Sequence, residues 1–354
     1  MIELAQGNLL EAPVEALVNT VNTKGVMGRG IALQFKQAYP AMFREYEKAC
    51  AADAVRLGQM YVFDLGGLAG GPRWIICFPT KDHWRGKSRL SDIEAGLFDL
   101  VATIKKLRIR SIAVPPLGCG LGGLDWNQVH PRIEAALSQV PDVKVLLFPP
   151  GGAPVPARMP NRTERPKMTP GQAALLLLAD RYLAGMLDPC LNLLAIHKIL
   201  YFLQQAGQPL KLKYEAYSHG PYAKNLRQVL IRMEKHYTQG YGEGQDNPAN
   251  TIELLPGAVA EAKRFLHDNE PIHKRLERVY ELIEGFEDPY GLELLSSLHW
   301  VMQQRPEART DSDVAIAAVH DWNDGKRQRL KREHLYKAWE RLASQQWNSV
   351  FAEV

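Results

Sequence analysis

Cysteine is scarce here: four residues in 354, at Cys50, Cys77, Cys119 and Cys190, with no CxxC spacing among them. That excludes a disulfide framework and a thiolate zinc site, and it suits a reduced cytoplasm. The ten histidines include no HExxH or similar cluster, so neither a protein-bound catalytic metal nor another resident cofactor is expected. No GKS or GKT follows any glycine-rich stretch, which excludes a Walker-type phosphate loop. The most apolar run, LLLLA at 175–179, is far too short to span a membrane, so no membrane association is expected. The first residues, MIELAQGNLLEAPVEALV, carry acids early and lack a basic segment followed by an apolar block. No secretory signal is expected from them, which again points to the cytoplasm.

What is present is the composition of an ordinary soluble protein, 46% hydrophobic and 23% charged, long enough for two cores. The net charge of +4 is unevenly spread. Residues 1–150 hold 17 basic and 14 acidic side chains, whereas 239–321 hold 7 basic and 16 acidic. The run KRQRLKREHLYK (326–337) restores the balance.

From Phe148 to Gly171 the chain reads FPPGGAPVPARMPNRTERPKMTPG, with seven prolines and three glycines. Proline cannot donate to a sheet ladder and breaks helix interiors, so 151–168 is expected to link two domains, 1–150 and 169–354. In the first, short β-branched and aromatic runs (15–19, 60–65, 73–78, 111–116 and 143–148) alternate with segments of helical periodicity. The predicted fold is α/β, a mostly parallel mixed sheet between helices. Ser88 or Ser91 is expected to cap the helical segment 89–107, and Asp125 the helix after it. Beyond the linker the pattern predicts a mainly helical domain, with Pro189 at a helix start and Gly207 at a helix stop.

Three polar loops follow strands of the first domain, on the side where open α/β sheets bind ligands. In VNTVNTKGVMGRGIALQF, Gly25, Gly28 and Gly30 let backbone approach a ligand, and a helix starting near Ile31 offers free N–H groups to a diphosphate. Alone, that loop reads equally well as a glycine-rich turn. PPLGCGLGGLDW (115–126) is a second loop of exposed amides, able to grip a pyrophosphate from the other side. FPTKDHWRGKS (78–88) brings a lysine, a carboxylate and an imidazole to the same rim. Lys81 is a catalytic candidate by position. Arg85, Lys87 and Arg89 read either as contacts to a nucleic-acid backbone or as a solvated charge run.

GNLL (7–10), NTVN (19–22), MGRGIA (27–32), TK (80–81) and PPLGCGL (115–121), in this order, resemble the macrodomain family over residues 1 to about 150. Within it they are most similar to the branch containing the human terminal ADP-ribose glycohydrolase and the bacterial DarG antitoxins, which are DNA ADP-ribosyl glycohydrolases. The resemblance implies ADP-ribose as ligand. Asn8 and Leu9 would meet the adenine; Thr20 and Asn22 would flank the distal ribose. Gly28, Arg29, Gly30 and Ile31 would form one wall, with Thr80 beside the lysine. Gly118, Cys119, Gly120, Leu121 and Gly122 would cradle the phosphates, and Lys81 would be catalytic. The human enzyme's branch has an aspartate directly after GCGL, thought to resolve a lysyl intermediate, where this chain has Gly122. That departure leaves two routes for Lys81 open, a covalent adduct or action through its amine or ammonium on the distal ribose. Removal of ADP-ribose from a DNA base requires that base to be accessible, hence a single-stranded or flipped substrate.

In the second domain HKILYFLQQAG (197–207) and YEAYSHGPYAKNLRQVL (214–230) resemble the helical antitoxin domains called Panacea or SocA-like, which neutralise toxins. His197 and His219 fall within this pattern and look structural. The partner implied is a DarT-type ADP-ribosyltransferase toxin. Such an enzyme carries a basic DNA groove, which an acidic helical face could occupy; Glu284, Glu287 and Asp288 in ELIEGFEDPYGLE (281–293) are the candidates. The alternatives are a hydrolase of ADP-ribosylated protein or O-acetyl-ADP-ribose, and a non-catalytic ADP-ribose reader.

Overall fold

The computed structural model describes residues 1–348 apart from 68–70, 152–153, 186–190, 243, 245–246 and 248–249. Pro189 and Cys190 therefore lie outside the described residues. The chain divides into two compact units, Met1–Glu164 with Gly242–Gln245, and Arg165–Tyr241 with Asp246–Val354.

The first unit is built on a six-stranded sheet of order β1-β6-β5-β2-β4-β3. Its strands are β1 (Ile2–Leu4), β2 (Ala16–Asn22), β3 (Tyr61–Asp64), β4 (Trp74–Lys81), β5 (Ser111–Val114) and β6 (Lys144–Leu147). All pairings are parallel except β3 with β4. The strand β1, too short for a periodic signal, was not expected from the sequence; it adds to the sheet through register with β6. Helices α1 (Gly30–Ala38), α2 (Pro40–Ala51), α3 (Leu90–Leu107) and α4 (Trp126–Leu137) cover both faces. One core packs Val18, Ile76 and Val145 under α3 and α4, and the other packs Leu17, Ile75 and Leu146 under α1 and α2. Neighbouring strand residues thus point to opposite layers, and burial on both faces is why these strands read as unbroken apolar runs.

Asp125 caps α4 as expected, its carboxylate accepting from the Asn127 amide at 3.0 Å. The cap of α3 is a correction. The preceding residue is Arg89, without a side-chain cap bond, and the Ser88 hydroxyl is buried with no hydrogen-bond partner. The Ser88 backbone explains this, because its amide is drawn to the Gly122 carbonyl (3.0 Å) and turns the residue under the second glycine loop.

The proline-rich stretch lies along the first unit as far as Glu164. The Arg162 amide donates to the Gln37 carbonyl at 2.8 Å, and Met159 is buried.

The second unit is mainly helical and has its own continuous core, from Ala173 to Trp347. Gly207, at φ +91°, ends the helix Leu193–Gln205 as expected. The segment after 214 differs from the helical expectation. Tyr214–Tyr217 and Gly220–Ala223 pair as an antiparallel hairpin, and helix begins only at Leu226. His197 is the reason this hairpin docks: buried, it stacks on Tyr222 at 3.8 Å and accepts from the Ala223 amide. Burial lowers its pKa to about 3, so it is neutral at physiological pH.

Beneath the hairpin Lys198 is fully enclosed and donates to the Pro221 carbonyl at 2.9 Å. Burial, then the neighbouring Lys326 charge, lowers its pKa to about 7. Between that value and the ordinary 10.5 the folded unit binds fewer protons than the unfolded chain. Stability of this unit is therefore expected to rise with pH across that window and to fall as pH drops through it. Urea unfolding of residues 165–354 over the window should show the slope, and Lys198→Met should flatten it.

Candidate ADP-ribose site on the first unit

The site begins with strand register. A bulge after Val21 shifts the β2–β4 pairing so that Asn22 stands beside Lys81, at the ends of adjacent parallel strands. The bulge, which no periodicity signals, brings together two residues predicted separately.

Asn22 then shapes the first loop. Its side-chain carbonyl accepts from the Lys24 amide at 2.9 Å and the Val26 amide at 3.3 Å, while its amide donates to the Val26 carbonyl at 2.6 Å. The Tyr46 hydroxyl donates to the Asn22 backbone carbonyl from α2. Thr20 is half-buried on β2, and Thr80 is buried on β4, its hydroxyl donating to the Val21 carbonyl at 3.4 Å. Gly28 and Arg29 lead into α1, whose first residues are Gly30 and Ile31. Gly30 adopts φ +61°, a conformation that favours glycine.

The third loop is tied to the first. The Thr23 amide and hydroxyl donate to the Asp82 carbonyl at 3.0 and 3.1 Å, the hydroxyl also meets the Asp82 carboxylate, and Lys24 pairs with that carboxylate at 3.1 Å. The Thr23 hydrogen bond and Lys24 hold the Asp82 pKa below its ordinary value. Asp82 is thus an ionised fastener between loops, and Thr23 is a site-building residue that sequence reasoning missed.

The second loop meets both others at Leu121. The Lys81 ammonium donates to the Leu121 carbonyl at 3.3 Å, and the Gly30 Cα carries no side chain where a Cβ would approach Leu121 Cδ1 to 3.7 Å. Leu121 itself is 58% exposed although apolar, which leaves it on the open rim of the three loops. Cys119 is half-buried, and burial raises its pKa to about 11, so it is a thiol rather than a thiolate. Burial pushes the Lys81 pKa below its ordinary 10.5.

The glycines of this loop have different reasons. Gly118 adopts φ +72°, and a Cβ there would press on Leu124 at 2.8 Å. A Cβ at Gly122 would fall on the Ser88 hydroxyl and the Gly118 carbonyl. In this loop an aspartate side chain at 122 has no room. Gly120 faces open space, with nothing within 4 Å of its Cβ position. Gly120→Val is therefore expected to fold normally yet lose at least about tenfold in ADP-ribose affinity, by filling the volume where backbone amides would meet phosphate. Gly122→Asp should lose affinity together with thermal stability rather than gain a new carboxylate function. Calorimetry with ADP-ribose and a melting curve on each variant check both outcomes.

Asn8 and Leu9 follow the C-terminal end of β1, the edge strand of the sheet, which runs parallel to β6. Leu9 is buried. Asn8 caps a short 3-10 turn, accepting from the Leu10 amide at 3.0 Å, and its side-chain amide donates to the Arg158 carbonyl at 3.3 Å. Among the described residues no group of histidine, cysteine, aspartate and glutamate is arranged to hold a metal.

In the second unit the three acidic candidates have unequal duties. Asp288 caps the helix Pro289–Gln304, accepting from the Tyr290 and Gly291 amides at 2.7 and 2.9 Å. The Glu284 carbonyl accepts from Arg341 at 2.8 Å while its side chain is exposed, and Glu287 is half-buried. His219 lies 3.4 Å from the Glu293 carboxylate, in a cluster where Lys326 also reaches Glu293 at 2.8 Å. Among the described residues no helix is long and apolar enough to cross a membrane.

The Macro domain family profile matches residues 18–133. A DNA ADP-ribosyl glycohydrolase of Thermus aquaticus is 45% identical over 342 residues, covering 97% of this chain and 93% of that protein. The solved macrodomain of Mycobacterium tuberculosis DarG is 56% identical, covering 43% of this chain and 99% of its own, with a TM-score of 0.42. A DNA ADP-ribosyl transferase–DNA ADP-ribosyl glycohydrolase fusion protein of Thermosipho africanus is 32% identical over 180 residues, 47% of this chain and 45% of that one.

Proposed function

Since the chain belongs to the family of DNA ADP-ribosyl glycohydrolases, we propose that its first unit removes ADP-ribose from a base of single-stranded DNA and that its second unit restrains the transferase that put it there. The observation that carries the enzymatic half is the meeting of three loops at Leu121, with Lys81 the cation placed among backbone amides. Glycine-lined amides bind a diphosphate without a metal, and they hold the distal ribose against the strand ends that carry Asn22 and Lys81.

The reaction breaks the bond between the distal C1″ and a base nitrogen. That nitrogen keeps the electron pair and gains a proton, and water supplies the new hydroxyl at C1″ and returns its other proton to the donor. The Lys81 ammonium is the proton donor in this balance, and burial makes it a stronger acid than a solvated lysine. A covalent lysyl route would need a carboxylate to release the adduct. Asp82 is held by Thr23 and Lys24, Asp125 caps α4, and Gly122 has no room for one.

The fused transferase and glycohydrolase of Thermosipho africanus supports a transferase as partner. Both activities concern DNA, which supports reading the protein as cytoplasmic. The discriminating assay offers the purified protein an ADP-ribosylated single-stranded oligonucleotide, an ADP-ribosylated protein and O-acetyl-ADP-ribose. Turnover is expected to be fastest on the oligonucleotide. Preference for either other substrate would overturn the DNA assignment, and binding of ADP-ribose without turnover of any would leave a reader.

A further inference from the structure

We propose that Trp84 is a stacking platform for the base next to the modified nucleotide, an inference that rests on the reading of a DNA strand as substrate. Among the described tryptophans Trp84 alone is exposed, at 43%. A single exposed apolar side chain needs no explanation by itself; the loop that carries this one is unusually well fixed. At its start the Asp82 carbonyl accepts from the Thr23 amide at 3.0 Å, and at its end the Ser88 amide donates to the Gly122 carbonyl at 3.0 Å. Between them the Gly86 amide closes on the His83 carbonyl at 2.8 Å, and the Arg85 amide donates to His83 Nδ1 at 3.1 Å. The apex is therefore tied to both glycine loops, and its indole is held out to solvent from a rigid base.

The chemistry around the indole is that of a nucleic-acid stack. The His83 ring lies against it at 5.3 Å and 28°, and the Arg85 guanidinium sits 4.4 Å from its centre. Arg89 pairs with Asp92 at 3.1 Å, whereas Arg85 and Lys87 have no acidic partner among the described residues. A base entering the stack would take the face that Arg85 covers and release that guanidinium to a phosphate. Trp84 is three residues from Lys81, so their Cα atoms are at most about 11 Å apart. A base adjoining the one being released is within that reach. Stacking is tolerant of base identity, so the contact would favour a strand over a lone nucleotide without selecting sequence.

The test compares two substrates and two variants. One substrate is an oligonucleotide carrying ADP-ribose on an internal base; the other is the same modified base as a single nucleotide, which has no neighbour to stack. Trp84→Ala is expected to lower kcat/KM on the oligonucleotide roughly ten- to hundredfold, chiefly through KM. Trp84→Phe should recover most of that loss, and both variants should match wild type on the single nucleotide and in ADP-ribose affinity. An undiminished rate on the oligonucleotide would overturn the proposal, as would an equal loss on both substrates. Wild-type protein inert on both would refute the DNA reading, and this contact with it.

Discussion

Lys81→Ala is expected to reduce release of ADP-ribose from modified single-stranded DNA by roughly 10²–10⁴-fold, the range for loss of a positioned proton donor. ADP-ribose affinity should stay within about tenfold of wild type, because the diphosphate contacts come from backbone. The reason is the division of labour in the site. In the proposed site binding would rest on amides presented by Gly28–Ile31 and Gly118–Gly122, and a side-chain truncation on β4 leaves those loops fastened through Asp82 and Ser88. Lys81→Arg sharpens the result. It keeps the positive charge but cannot give up a proton near neutrality, so it should be as inactive as alanine; full activity in Lys81→Arg would show that charge alone suffices. The pH profile has a definite sign. The acid form acts, so kcat/KM should fall as pH rises through the Lys81 pKa, which burial sets below the ordinary 10.5. Borohydride quenching during turnover should trap no lysyl adduct, and a trapped adduct would restore the covalent route.

The second large effect concerns the helical unit. Residues 165–354, expressed alone, are expected to bind the DNA ADP-ribosyltransferase and suppress its activity without any glycohydrolase activity. The unit carries its own core from Ala173 to Trp347, so it needs nothing from the sheet unit to fold. Its 239–321 segment has 16 acidic against 7 basic side chains, which suits a groove shaped for nucleic acid. Association should slow with added salt, and single-stranded DNA should compete with the fragment for the toxin. The capping duty of Asp288 dictates how the charge is tested. Glu284→Lys and Glu287→Lys combined with Asp288→Asn remove the acidic charge yet keep a capping side chain, and should slow association roughly tenfold or more. One transferase molecule holding DNA and the fragment together would refute the groove account alone; no detectable complex would refute the partner assignment too.

Much of this was legible because glycine, proline and apolar periodicity leave local signatures. The five longer strands and the helices α1, α3 and α4 followed from burial on one or two faces. The three loops followed from residue types that only make sense at strand ends. What stayed hidden depends on contacts distant in sequence. The Val21 bulge that sets Asn22 beside Lys81, and the Thr23–Asp82 fastening, join residues about sixty positions apart. Ser88 looked like a helix cap until the Gly122 carbonyl was seen to claim its amide. The hairpin Tyr214–Ala223 carries no signal of its own in a domain whose pattern predicts mainly helix; it shows only in the folded chain, where the buried His197 stacks on Tyr222. Gly122 shows the reverse case. The missing aspartate was plain in the sequence, but only the folded loop shows that a side chain there has no room.

The most direct test of the central claim is mass spectrometry of both products after the protein acts on an oligonucleotide with one ADP-ribosylated base. The account predicts an intact strand bearing the unmodified base, together with free ADP-ribose, and both products at least about a hundredfold slower from Lys81→Ala. A strand that keeps a ribose phosphate, or one that has lost its base, would place the cut at another bond and contradict it.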